Sequence, residues 1–222
     1  MLLASPPPVS PAALRASIVA AGMAQKSVHY VSASKTPTGS VTIVADAGVS
    51  QGIQQITFSK GKKSGHATVI VVRGTAYLRG DAFTLTDFIG IKAAGARRYA
   101  NRWIVVPSSS AAYGPIAAAV TLASALDGLG AKSGTLSKTA SRIGGKAVVG
   151  VRSVTKASSG NLTDTLWALA GKQRLPVEEV VTRNDERVAN TYSNWNERVT
   201  VAAPKSGVSI TKVLSAKSGP SV

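Results

Sequence analysis

The stretch ATVIVVRGTAYLRG, residues 67–80, is the part of the sequence that decides the fold. It begins with a run of Val and Ile in which apolar and polar residues do not alternate. A two-residue turn at Arg73 and Gly74 would pair Val72 with Thr75 and Val69 with Leu78. One face of this hairpin is then apolar throughout: Ala67, Val69, Val71, Ala76, Leu78 and Gly80. A three-residue loop would instead exchange the roles of Val71 and Val72.

The composition predicts one folded domain with a core of small side chains. The chain has 222 residues, of which 44% are hydrophobic and only 5% aromatic. This length is enough to bury roughly 70% of the unfolded surface in a single domain. We expect a flexible segment at 1–10, one domain at 11–214 and a flexible tail at 215–222. Inner faces made of Ala, Val and Gly leave room for helices or for a bound ligand.

The charge is strongly positive, with 26 Lys and Arg against 10 Asp and Glu, a formal net charge of +16. The excess is spread along the chain and predicts attraction to anionic surfaces. The absence of cysteine excludes disulfides and thiolate metal sites. The first residues are too polar for a signal sequence, and no stretch approaches the roughly 20 apolar residues of a membrane span. We therefore expect a soluble chain whose leader has been removed.

Turn signals divide most of the sequence into short alternating runs, which are typical of an antiparallel sheet. Ser10 followed by Pro11 predicts the start of a helix that continues to about Gln25. The first predicted strands after it are 27–34, 40–45, 51–59, 66–73 and 75–79. A second group is predicted at 135–142, 146–155, 163–169, 177–183, 186–193 and 198–201.

The centre of the sequence has a different character, and its spacing predicts helices at 81–89 and 91–100. Gly90 is a suitable C-cap residue between them. A strand is predicted at 103–106, and an Ala-rich segment at 108–130 is predicted to hold a short helix after Thr121. Gly114 and Pro115 would serve as hinges if this segment moved as a flap.

A second hairpin is predicted at Asn184 and Asp185. A two-residue turn pairs Arg183 with Glu186, Val181 with Val188, Glu179 with Asn190 and Val177 with Tyr192. The face that holds Val181 and Tyr192 is mainly apolar, yet it also holds Glu179. Glu179 is either a polar group inside an apolar cavity or a solvent-facing carboxylate, and the second interpretation is the more typical of a lone acid.

Few residues in the sequence could support catalysis or metal binding, and we predict neither catalytic residues nor a metal or cofactor. Only His29 and His66 could act as acid or base near neutral pH, and neither has a nearby acid in the sequence. An enzyme would require one of them to lie in a cleft beside a Ser and a carboxylate. Nucleic-acid binding is also not predicted, because few aromatic residues accompany the basic clusters.

Five segments, read in order, resemble a bacterial family. They are VVRGTAYLRGD at 71–81, ANRWIVVP at 100–107, IGGKAVVGV at 143–151, LPVEEVV at 175–181 and SNWNERVTVAAP at 193–204. Their order and spacing resemble the actinobacterial envelope lipoproteins of the LppX/LprG and LolA-like group. The resemblance implies an α+β fold, a strongly curved antiparallel half-barrel of about eleven strands with helices over its concave face. Members of this group carry a signal peptide that ends in a lipid-modified Cys. This sequence contains no Cys, so the resemblance implies that any lipid anchor would belong to a precursor whose leader has been removed.

The resemblance further implies a non-enzymatic protein of the cell envelope, outside the cytoplasmic membrane, that binds lipids or acylated glycolipids. We expect a monomer that also meets anionic membrane surfaces and does not bind nucleic acid. The alternative is an interaction module with a filled interior that binds a protein or an anionic polymer through its basic surface. Face assignment gives the predicted lipid-binding residues: Val69, Val71, Ala76, Leu78, Phe83, Phe88, Ile89, Trp103, Val105, Ile116, Val120, Val181 and Tyr192.

Overall fold

One curved sheet runs through the part of the chain that the computed structural model describes, residues 9–130, 132–156, 158 and 160–216. The expected flexible ends, 1–10 and 215–222, lie mostly outside the described residues. The sheet has twelve strands, and neighbours along the chain are mostly neighbours in the sheet, as in a meander. The strand order is β12-β6-β5-β4-β3-β2-β1-β11-β10-β9-β8-β7. All pairs are antiparallel except β12 with β6.

The strands and helices have the following bounds. The strands are β1 Ser27–Thr36, β2 Gly39–Gly48, β3 Gly52–Lys60, β4 Lys63–Val72, β5 Thr75–Gly80, β6 Ile104–Pro107, β7 Thr135–Ile143, β8 Lys146–Thr155, β9 Leu162–Leu169, β10 Pro176–Arg183, β11 Glu186–Ser193 and β12 Val208–Ser209. The helices are α1 Pro11–Met23, α2 Ala82–Asp87, α3 Ala93–Tyr99, α4 Tyr113–Ala117, α5 Leu122–Leu126 and α6 Ile210–Leu214. A short 3-10 turn, Asp127–Leu129, follows α5.

The register of the first hairpin is confirmed. Val72 pairs with Thr75, Val71 with Ala76, and Val69 with Leu78, so the turn has two residues. Arg73 and Gly74 both have positive φ, 51° and 72°, as the favoured two-residue hairpin turn requires. The face predicted to be apolar is buried along its whole length. This hairpin therefore supplies one wall of the core.

Local signals fix the ends of several helices. The Ser10 hydroxyl accepts a hydrogen bond from the Ala13 N–H at 3.1 Å, and α1 begins at Pro11 as predicted. Asp81 caps α2 in the same way, accepting from the Thr84 N–H at 2.8 Å. The helix predicted after Thr121 is α5, which begins with a capping box. With 13 residues α1 is the longest helix described, and none of the helices described is long and apolar enough to cross a membrane.

The predicted strand at 198–201 is wrong. Both edges of β1 and β2 are already paired, so this segment lies beside them as a loop held by side chains. The Gln51 amide donates to the Val199 carbonyl oxygen at 2.7 Å. The twelfth strand is instead Val208–Ser209, which pairs parallel with β6 and leads into α6. Neither β12 nor α6 was predicted from the sequence.

The helices fill the concave face of the sheet in two groups. One buried cluster joins β3 to β6 with α2, α3, α4 and α6, and it includes Leu85, Tyr99 and Val213. The other joins α1 and α5 to strands β1, β2, β8, β9 and β11, and it includes Ile18 and Leu126. Ile43 packs against both clusters, so the two groups share one continuous interior.

We expect Leu78→Ala to lower the free energy of unfolding by about 2–5 kcal/mol, because Leu78 is fully buried and the change leaves a cavity. The neighbouring Arg79 is exposed on the other face, where its guanidinium lies 5.8 Å from the centre of the Trp103 ring. Arg79→Ala should therefore cost less than about 1 kcal/mol. Urea denaturation of the two variants measures the difference. Equal costs would contradict the face assignment.

Candidate binding groove

Six of the predicted site residues lie in the closed cluster beneath the first hairpin. They are Val69, Val71, Ala76, Leu78, Ile116 and Val120, and all are buried. The room that the small side chains leave is occupied by residues from the chain's own helices, among them Leu85 and Tyr99, and by Ile91 from the segment between α2 and α3. The cavity predicted at this place is therefore filled by protein.

Phe83, Phe88 and Ile89 lie at the rim of this cluster and are half-buried. Phe88 and Ile89 pack against the cluster from outside. The ring of Phe58 lies 5.3 Å from the ring of Phe83 and 5.3 Å from that of Phe88. The three phenylalanines of the chain thus form one aromatic patch, close to the turn between β3 and β4.

Trp103 and Val105 do not join the other predicted site residues. In β6 the buried positions are Ile104 and Val106, which pair with Leu78 and Ala76 on the core face. Since successive side chains of a strand point to opposite faces, Val105 points to the outer face of the sheet. Trp103 precedes the strand and lies beside Arg79, which is also on that outer face. The sequence prediction placed these two residues on the wrong face.

Val181 and Tyr192 belong to the other half of the sheet. The second hairpin pairs Val181 with Val188 and Glu179 with Asn190, as predicted. The predicted pair of Val177 with Tyr192 is not formed, because the ladder of β10 and β11 begins at Glu178 and Thr191. On its other side, β10 has an irregularity between Pro176 and Glu178 in its pairing with β9. Tyr192 is buried in the second cluster, with its ring 5.4 Å from that of Tyr30.

An apolar groove of about 400 Å³ lies between α1 and the edge strand β7. None of the predicted site residues lines it. Its walls consist mostly of small or aliphatic side chains and include two cations: Ala12, Arg15, Ala16, Val19, Ala20, Gly130, Lys132 and Leu136. Mostly apolar walls with a few convergent polar groups are characteristic of small-molecule binding sites.

The two cations belong to a buried cluster of charges. The guanidinium of Arg15 contacts both oxygens of Asp164, each at 3.2 Å, and lies 3.4 Å from Glu179 Oε1. The Lys132 ammonium lies 3.1 Å from Asp164 and 3.8 Å from Glu179. We name these four residues, Arg15, Lys132, Asp164 and Glu179, the charge cluster. It joins α1 and the segment before β7 to β9 and β10.

Hydrogen bonds with neutral groups complete the charge cluster. The Arg15 Nε–H donates to the carbonyl oxygens of Leu129 and Gly130, at 2.9 and 2.8 Å. The Asn190 amide donates to the other oxygen of Glu179 at 2.9 Å. Arg15 is thus held by backbone as well as by carboxylates, which makes it a fixed part of the structure.

Burial, and to a smaller extent the neighbouring charge of Asp164, raise the pKa of Glu179, while Asn190, Lys132 and Arg15 lower it, and the net result is a pKa of about 7. Burial also raises the pKa of Tyr30 and that of Tyr192, so both phenols stay neutral at neutral pH. Within the charge cluster, Glu179 is therefore a carboxyl that gains or loses its proton near pH 7.

The charge cluster was only partly visible in the sequence. Face assignment put Glu179 and Asn190 inside the apolar face of the second hairpin, but the preferred interpretation of Glu179 as solvent-facing was wrong, since it is 3% exposed. Arg15 was missed, although it stands beside Leu14 and three residues before Ile18 on the buried side of α1. Its partners are 149 and 164 residues away, beyond the reach of local patterns.

A second, polar pocket of about 230 Å³ contains His29 and Asp46, whose Nδ1 and Oδ1 atoms are 2.7 Å apart. Ser27 lines the same pocket, but its hydroxyl donates to the Glu197 carbonyl oxygen at 2.5 Å. His66 instead contacts the Thr57 hydroxyl at 3.2 Å. The pocket thus combines a histidine with a carboxylate, and its serine hydroxyl is engaged by the backbone.

The stability of the folded chain should depend on pH through Glu179. The pKa of Glu179 is raised from 4.5 in the unfolded state to about 7 in the folded state. At a pH between these two values, the folded protein therefore holds a proton that the unfolded chain has lost. Stability should fall as the pH rises from about 4.5 to about 7. Glu179→Gln should remove this slope and be more stable than the parent at pH 8, by at most about 3 kcal/mol.

Denaturation midpoints between pH 4 and pH 8 measure this effect. Glu178→Gln is the matched control, because Glu178 is the neighbouring acid on the same strand and is half-exposed. It should keep the slope of the parent protein. The same slope in the parent and in Glu179→Gln would contradict the assignment of the titration to Glu179.

Comparisons with known proteins identify the fold. The crystal structure of LprF from Mycobacterium bovis matches with a TM-score of 0.58 and 16% identity, over 87% of this chain and 96% of LprF. The Mycobacterium tuberculosis lipoprotein LppX matches with a TM-score of 0.53 and 16% identity, over 86% of this chain and 98% of LppX. Comparison with protein-family models gives no match, nor does comparison with curated sequences. The chain therefore has the half-barrel fold of LprF and LppX, mycobacterial lipoproteins of the LppX/LprG family, as its sequence segments predicted.

Proposed function

We propose that this chain is a non-enzymatic lipid-binding protein of the bacterial cell envelope and that an acyl chain occupies the groove between α1 and β7. The observation that carries the proposal is the groove itself, a mostly apolar space of about 400 Å³ whose lining includes Arg15 and Lys132 of the charge cluster. An amphiphile has the same two parts. Its hydrocarbon would lie against the apolar walls and its polar group would face the charge cluster.

The composition of the groove walls supports this assignment. Ala12, Ala16 and Ala20 present methyl groups from one side of α1, and Leu136 faces them from β7. Contact with such a surface contributes about 25 cal/mol of favourable binding free energy for each Å² of hydrocarbon that is removed from water. The fold supports the location in the envelope, since LppX, which has the same fold, is a lipoprotein.

The surface charge supports a location beside an anionic membrane. The turn between β3 and β4 carries Lys60, Lys62 and Lys63, all exposed. The aromatic patch of Phe58, Phe83 and Phe88 lies next to it. Lys60 forms an ion pair with Asp87, the last residue of α2. Cations around half-buried aromatic rings suit the boundary between lipid head groups and acyl chains. We propose that this end of the sheet faces the membrane.

The alternative is an envelope interaction module that binds a protein or an anionic polymer through its basic surface. The closed cluster beneath the first hairpin favours this alternative, because the interior there is filled by the chain's own helices. The two functions differ in what the α1–β7 groove contains in the native protein. We assign no reaction to the chain in either case.

The test of the proposed function is to extract the native protein with organic solvent and to analyse the extract by mass spectrometry. The same protein is titrated with cis-parinaric acid, whose fluorescence rises in an apolar site. A co-purified lipid and saturable binding of the probe are expected. An extract free of lipid, together with no binding of the probe, would leave the interaction module as the better assignment.

Filling the groove should block the binding of lipid. Ala16 lines the groove and is exposed, so Ala16→Phe places a ring where the acyl chain would lie. We expect at least a tenfold loss of affinity for cis-parinaric acid, which corresponds to about 1.4 kcal/mol. Ala13→Phe is the control, since Ala13 is an exposed residue of the same helix that does not line the groove. A similar effect of both variants would place the lipid elsewhere.

The turn between β3 and β4 should contribute to membrane binding. Replacing Lys62 and Lys63 by Gln removes two charges, each worth about 1 kcal/mol at an anionic surface. Sedimentation with vesicles that contain phosphatidylglycerol should show a loss of at least about tenfold in binding. Replacing Lys146 and Lys172, exposed residues near the opposite ends of the strands, should have a smaller effect. Equal losses would indicate attraction by net charge alone.

A further inference from the structure

We propose that the α1–β7 groove selects a single-chain fatty carboxylate, that Lys132 binds the carboxylate, and that Glu179 takes up a proton when the ligand binds. The inference rests on the proposed function and adds the class of the ligand and its linkage to pH. It follows from the contact of the charge cluster with the groove, which Arg15 and Lys132 line.

Lys132 is the cation of the cluster that can meet a ligand. Its side chain is 31% exposed and lines the groove, whereas the side chains of Arg15, Asp164 and Glu179 are at most 5% exposed. The guanidinium of Arg15 is engaged by two carbonyl oxygens and by both carboxylates. An anionic head arriving along the groove would therefore replace the contact of Lys132 with Glu179, which is long at 3.8 Å.

The charge balance favours a ligand with one negative charge. The cluster holds two cations and two carboxylates, so it is neutral only while both carboxylates are ionised. A bound carboxylate would be a third anion, and protonation of Glu179 restores neutrality. An uncompensated charge is costly to bury, so binding and protonation should occur together.

The charged and titratable groups that face Glu179, among the described residues, are consistent with its protonation when the ligand binds. Arg15 approaches from α1, Lys132 from the segment before β7, and Asp164 from β9. Tyr30 on β1 and Tyr192 on β11 interact with Glu179 as neutral phenols. The raised pKa of Glu179, about 7, means that it accepts the proton at little cost near neutrality.

The size of the groove favours one chain. At about 400 Å³ it is near the lower end of the roughly 300–1,000 Å³ that small-molecule sites occupy. Its walls are one flank of a single helix and one strand. A lipid with several acyl chains would need the space beneath the first hairpin, which is filled.

Calorimetric titration with decanoate, and with the neutral 1-decanol, tests the inference. Titrations at pH 7 in buffers of different ionisation enthalpy give the number of protons taken up. We expect about half a proton for decanoate, because a group with a pKa near 7 is half protonated beforehand, and none for decanol. The affinity for decanoate should fall about tenfold between pH 6 and pH 8.

Three variants separate the roles of the residues. Glu179→Gln should bind decanoate without proton uptake and without the change of affinity between pH 6 and pH 8. Lys132→Met should lose at least about tenfold in affinity for decanoate and keep its affinity for decanol, because a hydrogen bond to a charged group is lost. Lys132→Arg keeps the charge and should retain binding, which excludes misfolding as the cause. Lys138→Met, on the exposed part of β7, should behave as the parent protein.

The outcomes distinguish the inference from the proposed function. Equal binding of decanol and decanoate without proton uptake would overturn the inference and leave an acyl-chain site in place. Decanoate binding that is insensitive to Lys132→Met would also overturn it. Binding of neither compound, with no lipid in the solvent extract, would overturn both.

Discussion

The ion pairs of Arg15 with Asp164 and Glu179 connect the first helix of the chain to strands formed about 150 residues later. All three side chains are almost fully buried, and removal of Arg15 should cost about 3–5 kcal/mol, because two buried carboxylates would lose a compensating cation. The interaction therefore fixes where α1 lies on the concave face. Once α1 is fixed, its flank of alanines stands opposite Leu136, and the groove follows from that position.

The same interaction explains why the two halves of the concave face differ. On the concave side of β3 to β6, four short helices supply large side chains, which fill the space next to Val69, Val71 and Ala76. Near β7 the covering element is one helix whose buried side carries Arg15 as well as Leu14 and Ile18. Charged groups that require hydrogen-bonding partners replace part of the apolar packing there. The space that remains lies at the edge of the sheet, and its lining is mostly apolar but includes Arg15 and Lys132.

Much of the fold could be predicted from local patterns. The turn at Arg73 and Gly74 fixed the faces of the first hairpin, and Ser10 with Pro11 fixed the start of α1, because both signals depend on residues adjacent in sequence. The site could not be predicted in this way. The small residues of the first hairpin indicated free space, but whether helices or a ligand occupy that space depends on long-range packing. Arg15, Lys132 and Asp164 meet only because distant elements come together, and no local pattern shows this.

The position of the groove at the edge of the sheet bears on how a ligand could enter. Since β7 is the last strand in the order and pairs with β8 alone, its other side is free of sheet partners among the described residues. A ligand of the proposed groove that entered along this edge would meet the flank of α1 and Lys132, and it would leave the closed cluster beneath the first hairpin intact. Access would therefore not require opening of the Ala-rich segment 108–130, whose residues Ile116, Val120 and Leu126 are buried in the two clusters. The proposed binding at the edge would separate the part of the fold that provides stability from the part that exchanges its ligand, and the exchange would take place next to Glu179, whose pKa is about 7.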